Sequence, residues 1–266
     1  MELTLSSGRG KVYVQGEAGR GPTLIFLHSF GGSGRSWQGV ISKLSSEAYC
    51  LAPDLRGFGS WNAATPSYLL EDYTADLGEL IEQLGLKSYI LVGHSMGGKI
   101  ALLFAAGRPA GLSGLVLVAA SPPTPEPMED VERNRLLTSY GQPEPMLETV
   151  QNITNQPLSP TLREQTVQDY IRSAPGAWKS WLEIGSRVNI TGLMPNLKPM
   201  PILAIVGTAD SVISEKLIRS EILPYLEASN TIKEPDNLIK LPKVGHLLPL
   251  EAPEALARAI QFIFKY

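Results

Sequence analysis

The sequence predicts an α/β protein: a mostly parallel, twisted sheet with helices on both faces, interrupted once by a helical insertion. Two patterns carry that expectation. Short apolar runs recur at TLIFLH (23–28), AYCLAP (48–53), SYILVG (88–93), LSGLVLVAAS (112–121), PILAIVG (201–207) and NLIKLP (237–242). Strands that are apolar throughout, rather than alternating, are buried on both faces, and amphipathic stretches between them supply the crossovers that parallel pairing needs. The second pattern is a gap in the strands. From SPPTPEPMED to about Lys198 only helical periodicity is present, punctuated by Pro143, Pro157, Pro160 and Pro175.

The elements follow in order. KVYVQG (11–16) is expected as an edge strand. Apolar residues at helical spacing predict helices from Ser36 to Ser45, Tyr68 to Leu84, Met96 to Gly107 and Ala252 to Phe264; in the last, Leu256, Ile260 and Phe264 share one face. The expected division is a core of residues 1–121 and 199–266 with an inserted helical lid, or cap, of residues 122–198. An excursion of that length inside a compact fold commonly covers a functional site, although a plain helical layer would look the same.

Composition narrows the function. With 266 residues, 43% hydrophobic and 18% charged, the chain can bury a large core. A formal net charge of -3 without runs of like charge offers no basic stripe to nucleic acid and no polybasic anchor to a membrane. Cys50 is the single cysteine and cannot form an intrachain disulfide; its AYCLAP setting marks a small core residue. The start MELTLSSGRGKVYVQG lacks the pattern of a secretory signal, and the apolar stretch Ile100 to Ala106 is too short for a bilayer. The expectation is a cytoplasmic protein, monomer or homodimer, acting on a small molecule.

Chemistry enters at VGHSMGG, Val92 to Gly98. A serine at a sharp strand-to-helix turn exposes its hydroxyl above a sheet, and the residues two away on either side must be small. Gly93 and Gly97 satisfy that requirement, and the strand before and helix after complete the context of a nucleophile elbow. Ser95 is therefore the candidate nucleophile.

A serine hydroxyl needs a base, and only three histidines are present. His94 adjoins the elbow, where a supporting role is expected, and His28 ends the first core strand, where a structural hydrogen bond is expected. His246, on the loop of KVGHLLPLEAPE, remains as the base. Asp210 in IVGTADSVIS follows an apolar strand and should leave the same sheet edge, making it the acid that orients His246. Glu126, Glu129 and Asp130, beyond the preceding strand, are rival acids. The backbone N–H groups of Met96, at a helix start, and of Phe30, in HSFGG, are the expected donors to an oxyanion.

HSFGG, PDLRGFGS, GHSMGG, VGTAD and GHLLPLEAPE, in that order over nearly the whole chain, resemble the α/β-hydrolase superfamily. Within it the chain resembles small lidded esterases and the related carbon–carbon bond hydrolases and cofactor-free perhydrolases. Serine rather than aspartate at the nucleophile departs from the pattern of haloalkane dehalogenases and epoxide hydrolases. Ser29 stands where many relatives have glycine, and Asp54 and Arg56 are expected to fix a loop. The resemblance implies hydrolysis of a small or medium carboxylic ester through an acyl-enzyme. Histidine and cysteine spacing suggests no metal, and the glycines form no dinucleotide fingerprint, so no cofactor is expected.

Ser29, Met128, Tyr140, Trp178 and Trp181 are the expected pocket residues, and nearly balanced charge in the insertion favours an uncharged substrate. A carbon–carbon bond hydrolase acting on a diketone acid would require a cationic anchor. A ligand receptor with slow turnover is the alternative of another class.

Overall fold

A computed structural model describes residues 2–4, 11–15, 21–61, 67–233 and 235–266, the first two segments as backbone. Its strands are β1 (Glu2–Thr4), β2 (Lys11–Gln15), β3 (Thr23–Leu27), β4 (Tyr49–Pro53), β5 (Tyr89–His94), β6 (Leu112–Val118), β7 (Ile202–Gly207) and β8 (Leu238–Leu241). They form one sheet in the order β1-β2-β4-β3-β5-β6-β7-β8. The pairings from β4 through to β8 are parallel, whereas β1 with β2 and β2 with β4 are antiparallel. The segment expected at the edge, β2, thus lies one place in. Its outer neighbour β1 is three residues long and carries no run that a pattern search could recognise.

Every position of β5 and β7 is buried, as continuous apolar strands in the middle of a covered sheet should be. The covering layers are α1 (Gln38–Leu44), α2 (Leu70–Gln83), α3 (Met96–Ala106), then α4 (Asp130–Thr138), α5 (Pro143–Ile153), α6 (Pro160–Arg172) and α7 (Pro175–Glu183) between β6 and β7. After β7 come α8 (Glu215–Glu221) and α9 (Leu223–Leu226), and after β8 come α10 (Leu248–Glu251) and α11 (Pro253–Gln261). On α11, Leu256 and Ile260 are fully buried, and the helix packs against α1.

Among the described residues the stretch between β6 and β7 holds helices and 3-10 turns but no strand. Pro143, Pro160 and Pro175 are each the first residue of a helix, where a fixed φ helps and the missing N–H is not needed. The prolines therefore start helices rather than break them.

Polar bonds tie this stretch to the loops above the sheet. Arg35 pairs with the buried Asp169 at 2.7 Å, and Ser33 Oγ donates to Asp169 Oδ2 at 2.7 Å. The DLRG turn is a brace for the same loops. Asp54 accepts from Gly34 N–H (2.8 Å) and Ser60 N–H (2.8 Å), and Arg56 donates twice to Asp76 (2.7 and 2.6 Å). Cys50 is fully buried, and burial pushes its thiol up to about 12, so it stays a protonated core residue.

Candidate active site

Ser95 joins β5 to α3 at φ 52 and ψ -117, a conformation that costs a non-glycine residue about 1–3 kcal/mol. Its own backbone holds it there. Ser95 N–H donates to Val118 O (3.1 Å), and Ser95 O accepts from Ser121 N–H (3.0 Å), so the exit of β6 clamps the turn from both sides. The flanking glycines are needed for closeness. A Cβ on Gly93 would sit 2.5 Å from Gly97 O, and one on Gly97 would sit 2.5 Å from Leu27 O. Without those methyls α3 can start directly against β3 and β5.

The hydroxyl this turn presents lies in a continuous hydrogen-bonded line. A carboxylate only accepts, so the 2.9 Å contact of His246 Nδ1 with Asp210 Oδ2 places the proton on Nδ1. That leaves Nε2 as the acceptor for Ser95 Oγ–H at 3.1 Å. Asp210 is itself held in place. Its Oδ1 accepts from the amides of Val212 and Ile213, each at 2.8 Å, which leaves Oδ2 for the imidazole. Burial opposes charge on His246, but the charge and hydrogen bond of Asp210, with Glu126 and Glu251 behind, outweigh it and raise the imidazole above its ordinary value.

The loop bearing His246 is fixed by residues that sequence reasoning passed over. Glu251 accepts from Gly245 N–H (2.8 Å) and Leu247 N–H (3.0 Å), the two neighbours of His246, and also from the amides of Asn155 and Gln156 just beyond α5. The backbone of His246 adds a bond to Ile153 O at 2.7 Å. An acid six residues after the glycine of GHLLPLE, two residues before the start of α11, was the available signal.

His28 and His94 have other partners. His28 donates from Nδ1 to Ser29 O (2.8 Å) and accepts Leu55 N–H at Nε2 (2.9 Å), and burial lowers its pKa, keeping it neutral. Ser29 O also accepts Gly32 N–H (3.0 Å), so the loop carrying Phe30 is closed on itself. Among the described residues the N–H groups of Phe30 and Met96 have no hydrogen-bond partner. Met96 N–H, at the N-terminus of α3 directly after the serine, and Phe30 N–H, on a loop that lines the same cavity, are thus two unused donors.

Ser95 and His246 open onto a cavity of about 430 Å³. Of the five expected pocket residues, Ser29, Met128, Trp178 and Trp181 line it. Tyr140 does not: its ring packs on Trp178 at 5.7 Å between centroids, and its hydroxyl donates to Ser173 O at 2.5 Å. Its place within the insertion made Tyr140 a candidate without saying which neighbour its ring meets.

The rival acids are likewise placed. Asp130 is exposed and pairs with Arg187, while Glu126 and Glu129 line the cavity without bonding His246. Glu132 joins them on the wall. Charge that balances over the whole insertion is therefore acidic where the insertion meets the cavity. Among the described residues no group of three His, Cys, Asp or Glu side chains is arranged to hold a metal ion, and no helix is long and apolar enough to cross a membrane.

The family model described as the alpha/beta hydrolase family matches residues 24–259. A 2-succinyl-6-hydroxy-2,4-cyclohexadiene-1-carboxylate synthase of Serratia proteamaculans is 29% identical over 260 residues, covering 94% of this chain and 96% of that protein. Among solved structures, a bromoperoxidase from Bacillus anthracis superposes with a TM-score of 0.83 at 19% identity, over 96% of this chain and 95% of that one. A thermophilic esterase from Thermogutta terrifontis gives a TM-score of 0.78 at 24% identity, over 100% of this chain and 97% of that one. Both structural matches are agreements of fold.

Proposed function

The chain belongs to the alpha/beta hydrolase family, and within it we propose a serine hydrolase that cleaves small or medium carboxylic esters through an acyl-enzyme. The observation that carries this reading is the line Ser95–His246–Asp210, hydrogen-bonded end to end and opening on a cavity beside two unused amide donors.

In this reading His246 Nε2 takes the Ser95 proton as Oγ attacks the ester carbonyl carbon. The Phe30 and Met96 amides receive the oxyanion, and a donor of this kind is worth roughly 3–4 kcal/mol in the transition state. His246 returns the proton to the departing alcohol. A water molecule, deprotonated by the same nitrogen, then attacks the acyl-Ser95 carbonyl and releases the acid. Residues 122–198 act as the lid that shapes the acyl or alcohol pocket.

Steady-state release from aryl esters of increasing chain length, acetate to decanoate, tests the reading with wild type beside a folded Ser95→Ala variant. Multiple turnovers that vanish in the variant support it. Equal turnover in both proteins, or none in either, overturns it.

A second reading, hydrolysis of a carbon–carbon bond, would use the same three residues. A diketone acid substrate would need a free cation, and the cationic side chain on the cavity wall, Arg135, is committed to Glu132 by two hydrogen bonds of 2.7 and 2.6 Å. Ester cleavage is the better fit.

A further inference from the structure

The cavity wall carries more negative charge than ester hydrolysis requires. Glu126, Glu129 and Glu132 line it, and Arg135 is neutralised by Glu132. Glu129 and Glu132 are exposed, but Glu126 is only 8% exposed. Its Oε2 is buried without a hydrogen-bond partner. A carboxylate taken out of water with an acceptor left empty is costly, and the cost is recovered when a donor, above all a charged one, arrives.

Among the described residues no donor reaches that oxygen, although Lys99 and Arg133, whose Nε is also without a partner, are near enough to feel its charge. Lys99 Nζ donates to Thr124 O (3.0 Å), and burial brings its ammonium down to about 8 against the pull of Glu126. Arg133 donates to Leu182 O, to Ser186 Oγ (2.8 Å) and to Met128 O. Among the described residues neither forms an ion pair with Glu126, and neither lines the cavity. The position of Glu126 is nonetheless fixed, because its backbone N–H donates to Ser186 O at 2.8 Å.

The rest of the wall suits a cation. Phe30, Tyr170, Trp178 and Trp181 line the same cavity, with Phe30 and Trp178 packed at 4.3 Å between centroids. Aromatic faces attract ammonium groups, most strongly where water is excluded. The exposed carboxylate of Glu129 favours entry of a cation and disfavours an anion, Glu132 being paired with Arg135.

We propose that this cavity selects esters bearing a protonated amine, with Glu126 receiving the ammonium N–H and the Phe30–Trp178 wall flanking the charge. The proposal rests on the serine-hydrolase reading for its chemistry but not for its recognition. Glu126 lines the same cavity as Ser95 and His246, so an ammonium held there belongs to a molecule within reach of the reacting hydroxyl.

The experiment compares dimethylaminoethyl butanoate, protonated near neutral pH, with its uncharged carbon isostere isopentyl butanoate. A second pair carries the same difference on the acyl side, as the methyl esters of 4-(dimethylamino)butanoic and 5-methylhexanoic acids. In at least one pair kcat/KM should favour the amine by about tenfold or more, the scale of one charge-assisted hydrogen bond. In a folded Glu126→Gln variant that ratio should fall towards one.

No preference for the amine in either pair, or a preference that survives in folded Glu126→Gln, overturns the proposal. Calorimetric binding of the same esters to Ser95→Ala keeps the test open if Glu126→Gln does not fold or if no ester is turned over. Tighter binding of the amine supports the proposal, and equal binding sinks it. Turnover of the neutral esters without amine preference would leave the serine-hydrolase reading standing and remove this one alone.

Discussion

His94 Nε2 donates to the backbone carbonyl of His246 at 2.8 Å, so the residue preceding the candidate nucleophile holds the candidate base. Burial first, then the neighbouring His246, pushes the His94 imidazole well below its ordinary value, so it is a neutral strut. His94→Phe keeps a ring but loses the donor, and an orphaned buried carbonyl costs roughly 1–3 kcal/mol. The expected result is a kcat lower by about tenfold with KM little changed, because the ring of His246 is less well aimed. Unchanged kcat in the folded variant would mean that Glu251 suffices to hold the loop.

Asp210→Asn should be far more damaging than its size suggests. The amide oxygen can still accept from Val212 and Ile213, but the NH2 then faces His246 Nδ1 and forces the proton onto Nε2. His246 would present a donor to Ser95 where an acceptor is needed. A fall in kcat on the order of a thousand- to ten-thousandfold is expected by steady-state assay, with thermal stability close to wild type. A loss below tenfold would remove Asp210 from its assigned role.

The pH profile has a definite sign. His246 must be neutral to take a proton, and although burial favours the neutral form, Asp210 raises its pKa above the ordinary 6.5. A raised pKa keeps the ring charged to higher pH. The acid limb of kcat/KM should therefore be centred above 6.5, and Glu126→Gln, which removes one of the raising charges, should move it to lower pH. Asp210, Glu126, Glu251 and His94 are the charged or titratable groups that bear on it. A limb below 6.5, with chemistry limiting the rate, contradicts this electrostatic account.

Gly97→Ala tests the close approach of α3 to β3. The added methyl would lie 2.5 Å from Leu27 O and 2.7 Å from His28 O, both backbone atoms that cannot swing aside. Overpacking of this kind costs about 1–3 kcal/mol or more, roughly 3–10 °C in Tm for a domain of this size. A thermal melt within a degree of wild type would show that the elbow has slack the structure does not suggest.

The fold was legible because its central strands are apolar nearly throughout, and Ser95, Asp210 and His246 were legible because each lies beyond the end of a strand. The wiring around them was not. Whether His94 points towards His246 or away, and which amides Glu251 reaches, depend on loop paths that no periodicity encodes. Glu126 shows the same limit from the other direction. Its spacing marked it as a rival acid, but only the folded insertion brings it to the cavity wall without bonding His246. Tyr140 shared the helical insertion with the tryptophans and still faced a different neighbour.

The chain leaves the sheet at the end of β6 and returns to it at β7, and these two strands are paired neighbours with Val118 opposite Ile205. For the sheet this is a side excursion whose two ends stay put whatever its length, and doubling such a loop adds only about 0.6 kcal/mol of closure entropy. Ser95 is held by Val118 O and Ser121 N–H, both at the exit of β6. The excursion is bound to the base at one place: Ile153 O holds the backbone of His246, and Asn155 and Gln156 share Glu251 with that loop. Any transplanted segment would inherit the sheet without effort, but would have to bring its own equivalent of those few bonds.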